Sequence, residues 1–291
     1  MHLRHGLLVL VSLLVAADAS AFCRTTTAPT DPSFSPKPGT CWTQGIFVFH
    51  QRTCVGYSIE SPGSAKLDMA AFAPLVEQAF ASWRASNCDG GAPTIQTMFR
   101  GNTTSASFGY DVNGGPNASA IVFRDDKWPH GERTSEVILT TLTFNRDTGE
   151  ILDADMEVNT AEVDFTLTDP VPRNGTDMLS ALTHEAGHFL GLAHSSDVSA
   201  TMYARYTAGS TSFRTLEPDD QQGLCSIYLS SGKRVTSTGQ VAPGACDPTA
   251  PPPPMSTTTS KGCSAGPRGD GTAALALLGA AVAVVLRRRR R

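Results

Sequence analysis

His184-Glu185-Ala186-Gly187-His188-Phe189-Leu190-Gly191-Leu192-Ala193-His194 sets three imidazoles and one carboxylate at the spacing a catalytic zinc site needs. On a helix, residues four apart share a face, so His184 and His188 can turn their ring nitrogens to one ion, with Glu185 projecting beside them. A helix cannot keep delivering ligands to the same point, so the chain must turn. Gly191 is the residue type that turns it cheaply through a left-handed conformation, after which His194 completes the set. Three neutral imidazoles leave one tetrahedral position for water, the arrangement of catalytic rather than closed structural zinc.

Around that motif the chain has 291 residues and 40% apolar content, enough for one well-packed catalytic domain with flanking pieces. The formal net charge is -4, but residues 22–262 hold 16 Lys and Arg against 25 Asp and Glu. An acidic body argues against nucleic acid, or an anionic membrane surface, as its main partner. Residues 1–21 read as a signal peptide: Arg4, an apolar run, and Ala19-Ser20-Ala21 as a small-residue cleavage site. Export makes disulfides the default for the seven cysteines at 23, 41, 54, 88, 225, 246 and 263. Six of them precede the C-terminal segment and can pair in 15 ways. A bridge from Cys88 to Cys225 is singled out because both sit at ends of predicted helices.

Strands are expected near residues 55–60, 94–99, 120–123, 137–144 and 151–158, with Asn113-Gly114-Gly115 and Asp147-Thr148-Gly149 among the turns between them. A first helix is predicted over 74–85, with Pro74 in its first turn and Leu75, Ala79, Phe80 and Trp83 on one face. The second carries the histidines and can be capped by Thr176 or Asp177. The third follows Pro218-Asp219-Asp220.

With these residues in view, the chain resembles the metzincins and, within them, the matrixin family. The full HExxHxxGxxH motif is followed by Ser195, and Met202 stands eight residues past His194 in Ala200-Thr201-Met202-Tyr203, where the family has its Met-turn. Leu216 to Tyr228 is similar to the closing helix of the family, and Ala79-Phe80-Ala81-Ser82-Trp83 to its first helix. The resemblance covers roughly residues 55–230. It implies an α+β, zincin-type catalytic domain with a twisted five-stranded mixed sheet and three helices. It further implies a zinc endopeptidase with His184, His188 and His194 as ligands, Glu185 as general base, and Met202 as an apolar floor beneath the imidazoles. Asp219 and Asp220 would cap the third helix and buttress the Met-turn, and a polypeptide substrate would lie extended against an edge strand. The chain departs from the family in three places. No Pro-Arg-Cys-Gly pattern precedes the domain, Ala204 replaces the proline usual after the Met-turn, and His50 and His130 are too few for a second, structural zinc.

Clustered acids at Asp125, Asp126, Asp153, Asp155 and Glu157 raise a calcium site, although the two-residue spacing of the last three could equally mark one solvated strand face. The domain plan is a signal peptide (1–21), a Cys-containing segment (22–54), the metallopeptidase domain (55–231), a Pro/Ser/Thr-rich linker (232–262) and a terminal segment (263–291). That last segment joins Cys263, an apolar run and five arginines. It resembles the MYXO-CTERM type of bacterial sorting signal, which would make Cys263 a surface-attachment site and give the tail the membrane or cell envelope as its partner. The expected protein is a secreted or surface-anchored monomer acting on proteins or peptides. Two other classes stand beside it: an adhesin that keeps zinc for stability alone, which would need no Glu185, and a zinc amidase acting on cell-wall peptides.

Overall fold

A computed structural model describes residues 20–104, 108–111, 117–130, 136–247 and 257–261. Most of the predicted signal peptide, and Cys263 with the apolar and arginine runs, lie outside these. Among the described residues no helix is long and apolar enough to cross a membrane.

The sheet is built from β1 (Cys54–Glu60), β2 (Gln96–Thr103), β3 (Ala120–Phe123), β4 (Ile138–Asn145), β5 (Ile151–Val158) and β6 (Thr257–Lys261). Their spatial order is β6-β4-β5-β3-β1-β2. β1 runs parallel to β2 and β3, and β3 parallel to β5. β4 is antiparallel to β5, which follows it after a short turn. The five expected strands form this mixed sheet, and β6 adds a sixth from the stretch read as linker.

Helices α1 (Met69–Arg84) and α2 (Met178–Phe189) pack together, and α3 (Pro218–Cys225) closes the domain. Residues Phe72, Val76, Ala79, Phe80 and Trp83 of α1 are buried at helical spacing. The Trp83 indole N–H donates to the Thr183 carbonyl at 2.8 Å, so the largest core side chain also spends its one donor on α2. Stacking of Tyr57 on Phe80, with centroids 4.8 Å apart, carries the same contact from α1 into the sheet.

The first helix starts five residues earlier than its sequence pattern indicates. Asp68 caps it, accepting from the Ala70 and Ala71 amides, so Pro74 lies inside the helix rather than in its first turn. Proline there forgoes one backbone bond, to the Ala70 carbonyl, and burial of Phe72 and Val76 on either side outweighs that loss.

Three disulfides join Cys23 to Cys41, Cys54 to Cys246 and Cys88 to Cys225, the last being the pair singled out from helix ends. The second draws the supposed linker onto the body. Residues 234–236 and 239–241 form a hairpin, and the Arg234 guanidinium is fully buried, donating to the carbonyls of His50, Arg52, Thr94 and Gly232. An arginine with its donors spent on carbonyls is an internal tie, so the extended stretch cannot begin before residue 247.

Candidate metal centre

α2 is capped by Asp177, whose carboxylate accepts from the Ser180 amide and from the Arg214 guanidinium at 2.7 Å through both oxygens. This fixes the start of a helix whose every residue is buried. His184 and His188 lie one turn apart on it, and their Nε2 atoms face each other at 3.1 Å. The remaining nitrogen of each ring is tied to backbone. His184 Nδ1 donates to the Thr201 carbonyl at 2.6 Å and His188 Nδ1 to the Leu192 carbonyl at 2.8 Å. Those bonds set the tautomer that leaves Nε2 unprotonated and turned inward.

The helix ends at Gly191, which has φ 98°. A Cβ there would be strained in φ and would also approach the Val48 carbonyl at 3.2 Å. The turn brings in His194, whose ring lies 4.9 Å from that of His188 and 5.2 Å from that of His184. His194 Nε2 is buried without a hydrogen-bond partner. Among the described residues, this trio is the group of His, Cys, Asp or Glu side chains able to hold a metal ion, with ligand atoms within 4.8 Å of one another. Burial pushes the His184 imidazole down to about 3 and His194 well below the usual range, with neighbouring imidazoles adding to both effects. Such rings are neutral at ordinary pH, the form that ligates. A buried, convergent, neutral donor set with one nitrogen left over fits zinc.

Glu185 is fully buried, and its Oε2 accepts from the Thr140 amide at 3.2 Å and the Thr140 hydroxyl at 2.7 Å. Thr140 belongs to β4, so this carboxylate ties the histidine helix to the sheet edge. Nothing in the strand pattern marks Thr140, one of three threonines in this strand.

The Met-turn is held from below. Asp220 accepts the Thr201 amide on Oδ2 at 2.8 Å and the Met202 amide on Oδ1 at 2.9 Å, and also takes the Glu217 amide at the start of α3. Because Thr201 also gives its carbonyl to His184, the chain of bonds runs from Asp220 through the turn to the His184 ring. Met202 is buried, and its sulfur lies where a side chain on Gly187 would go: a Cβ there would sit 2.2 Å from Sδ. Asp219 does something different from its neighbour. It accepts from the Ser195 hydroxyl at 2.7 Å and from the Ala21 and Phe22 amides at 2.9 Å. The next residues, Cys23 and Arg24, pair as a short strand with Ala193 and Leu192. The N-terminal segment therefore braces the turn between the second and third histidines, a contact too distant in sequence to be read from it.

The acidic positions of β5 are not on a solvated face. Asp153, Asp155 and Glu157 are all buried. Asp155 accepts from the Gly109 and Ala120 amides, Asp153 from the Ser119 hydroxyl, and Glu157 pairs with Arg124 and His130. Asp125 accepts from Ser64, Ala65 and Thr160. β5 lies between β3 and β4 and is buried along almost its whole length, so alternation did not mark water here. His50 Nε2 donates to the Phe189 carbonyl at 2.9 Å, and like His130, which pairs with Glu157, it stands apart from the triad.

Comparison with known proteins places this geometry in a family. The Matrixin family model matches residues 49–229. The chain is 47% identical over 66 residues to neutrophil collagenase of Homo sapiens, covering 23% of this chain and 14% of that protein. It is 44% identical over 63 residues to human matrilysin, covering 22% of each. It is 45% identical over 67 residues to the hatching enzyme of Paracentrotus lividus, covering 23% of this chain and 11% of that one. The matched stretches thus span between 11% and 22% of the length of these relatives.

Proposed function

The chain belongs to the Matrixin family, and on that premise we propose that it is a zinc-dependent endopeptidase that cuts extracellular polypeptides, with Glu185 as its general base. The observation that carries this reading is the unspent Nε2 of His194 beside two other Nε2 atoms whose rings are locked from behind. His184, His188 and His194 would hold the ion. Zinc bound there supplies Lewis acidity, lowering the pKa of water towards about 7 and polarising a carbonyl.

The chain's own residues do the rest. Glu185, one residue from a ligand, takes the proton of the attacking water and returns it to the leaving amine. Thr140 fixes the carboxylate for that exchange by its amide and its hydroxyl. A substrate would lie extended along the outer edge of β4, gaining main-chain bonds from the sheet. Met202 and Asp220 keep the rings in place and touch no substrate. The proposed cofactor is zinc at the histidine triad; of the carboxylates considered for calcium, Asp125, Asp155 and Glu157 are engaged with protein donors. Export, and attachment through the C-terminal segment, are part of the same proposal, and three disulfides support the first. The choice between release and retention at the envelope turns on Cys263.

Glu185→Ala tests the reading. Zinc content should persist while cleavage of casein or gelatin falls by about 10²- to 10⁴-fold. Unchanged cleavage with intact zinc content would sink it.

A further inference from the structure

β4 is an edge strand of the domain sheet except for one neighbour, and that neighbour is the chain's own segment 257–261. The two run antiparallel, pairing Thr257 with Asn145, Thr258 with Phe144, Thr259 with Thr143, Ser260 with Leu142 and Lys261 with Thr141. The ladder stops one residue short of Thr140, the residue that bonds Glu185. Since the Thr140 amide points at Glu185 and away from β5, the two-residue alternation puts the amides of Leu142 and Phe144 on the same outer edge. These face Ser260 and Thr258. β6 enters beside Asn145 and runs toward Thr140, so it is directed at the histidine site.

The geometry of attachment makes this pairing intramolecular. Cys246 is bonded to Cys54 at the start of β1, and β1 lies four strands from β6 in the sheet. Four strand spacings are about 19 Å. The eleven residues from Cys246 to Thr257 can reach about 36 Å when extended. The connection is therefore long enough for the segment to reach β4. A tether of that length presents it at an effective concentration in the millimolar range, above that of most polypeptides in solution.

We propose that segment 257–261 is an intramolecular occupant of the peptide-binding edge of the site, competing there with polypeptide substrates. This rests on the endopeptidase reading for its consequence but not for its detection. The strand is a main-chain ligand, so the partner class that displaces it is any extended peptide able to pair with β4.

The test uses the full chain loaded with zinc, as the natural sequence and as the double variant Thr258→Pro/Ser260→Pro. Proline removes the two amides that would donate to β4, and both positions follow the last disulfide, away from the core. Hydrogen exchange at the Leu142 and Phe144 amides should be slow in the natural chain and at least about tenfold faster in the variant. Equal exchange overturns the proposal whatever either protein cuts. With a fluorogenic peptide, the variant should show a lower KM at unchanged kcat. Faster exchange with unchanged KM would also overturn it, because the segment would then occupy an edge that substrate does not use. If neither protein cuts any peptide, the endopeptidase reading fails, while exchange still decides whether the segment covers β4.

Discussion

Two groups of buried polar side chains invite comparison: the histidines of α2 and its following turn, and the carboxylates of β5. Both are desolvated, and both had to recover in hydrogen bonds what burial cost them. The carboxylates recover most of it within the protein, from backbone amides, Ser119, Arg124 and His130, and the oxygen that Asp153 has left over interacts only with its neighbour Asp155. The histidines recover half. His184 and His188 each spend one nitrogen on a carbonyl, while His194 keeps a buried nitrogen with no partner. A closed polar cluster is architecture, and one with an unspent, convergent lone pair awaits a ligand.

The largest break in that contrast is chelation. Removing zinc should abolish all peptide cleavage, and zinc alone should restore it. It should also remove about 4 kcal/mol of stability, with a matching fall in melting temperature, if the metal had stood at a thousand times its dissociation constant. Activity that survives chelation would place the histidines among the closed clusters.

A smaller effect is expected one bond further out. Asp220→Asn leaves one acceptor oxygen where the carboxylate serves three amides through two. Zinc affinity, measured against a chromophoric chelator, should weaken by about 10- to 100-fold. Unchanged affinity would mean the Met-turn does not govern His184.

Gly187→Ala probes the floor itself. A methyl group there meets the Met202 sulfur and the Trp83 ring, at 2.2 and 2.7 Å. Denaturant unfolding should show a loss of about 1–3 kcal/mol. No loss would show that the floor gives way freely.

The smallest effect belongs to the closed cluster. Burial, with Asp153 beside it, pushes the Asp155 carboxyl up to about 9 from the ordinary 3.8. The folded chain therefore keeps a proton that the unfolded chain releases, so this stabilisation is complete below about pH 4 and is lost as pH rises toward 9. Asp153→Asn removes the neighbouring charge and should flatten that decline. A gain of about 1 kcal/mol, a few degrees in melting temperature, is expected at pH 8 and none at pH 4. A variant that melts in parallel with the natural chain across this range would show that the pair does not share a proton.

The legibility of these regions differs for a physical reason. The convergence of the histidines was readable because a helix converts sequence spacing directly into direction, so His184 and His188 had to meet and Gly191 had to turn the chain. Strand positions 120–123 and 151–158 matched for a similar reason, being bounded by strong turn signals. Alternation in β5 misled, because a period of two reports which residues share a face and not whether water reaches it. Thr140, the Asp219 bonds to residues 21 and 22, and the pairing of β6 with β4 were not legible at all. Each joins residues between 45 and 198 positions apart, and local pattern holds no information at that range.

The bridges from Cys54 to Cys246 and from Cys88 to Cys225 are nested, spanning 192 and 137 residues. Any single cut between Cys88 and Cys225 leaves both pieces on one covalent frame. Such a nicked chain would migrate as one band without reductant and as two with it. A chain nicked in its loops thus keeps the histidine helix and Thr201 on one covalent frame, and the damage shows only on a reduced gel.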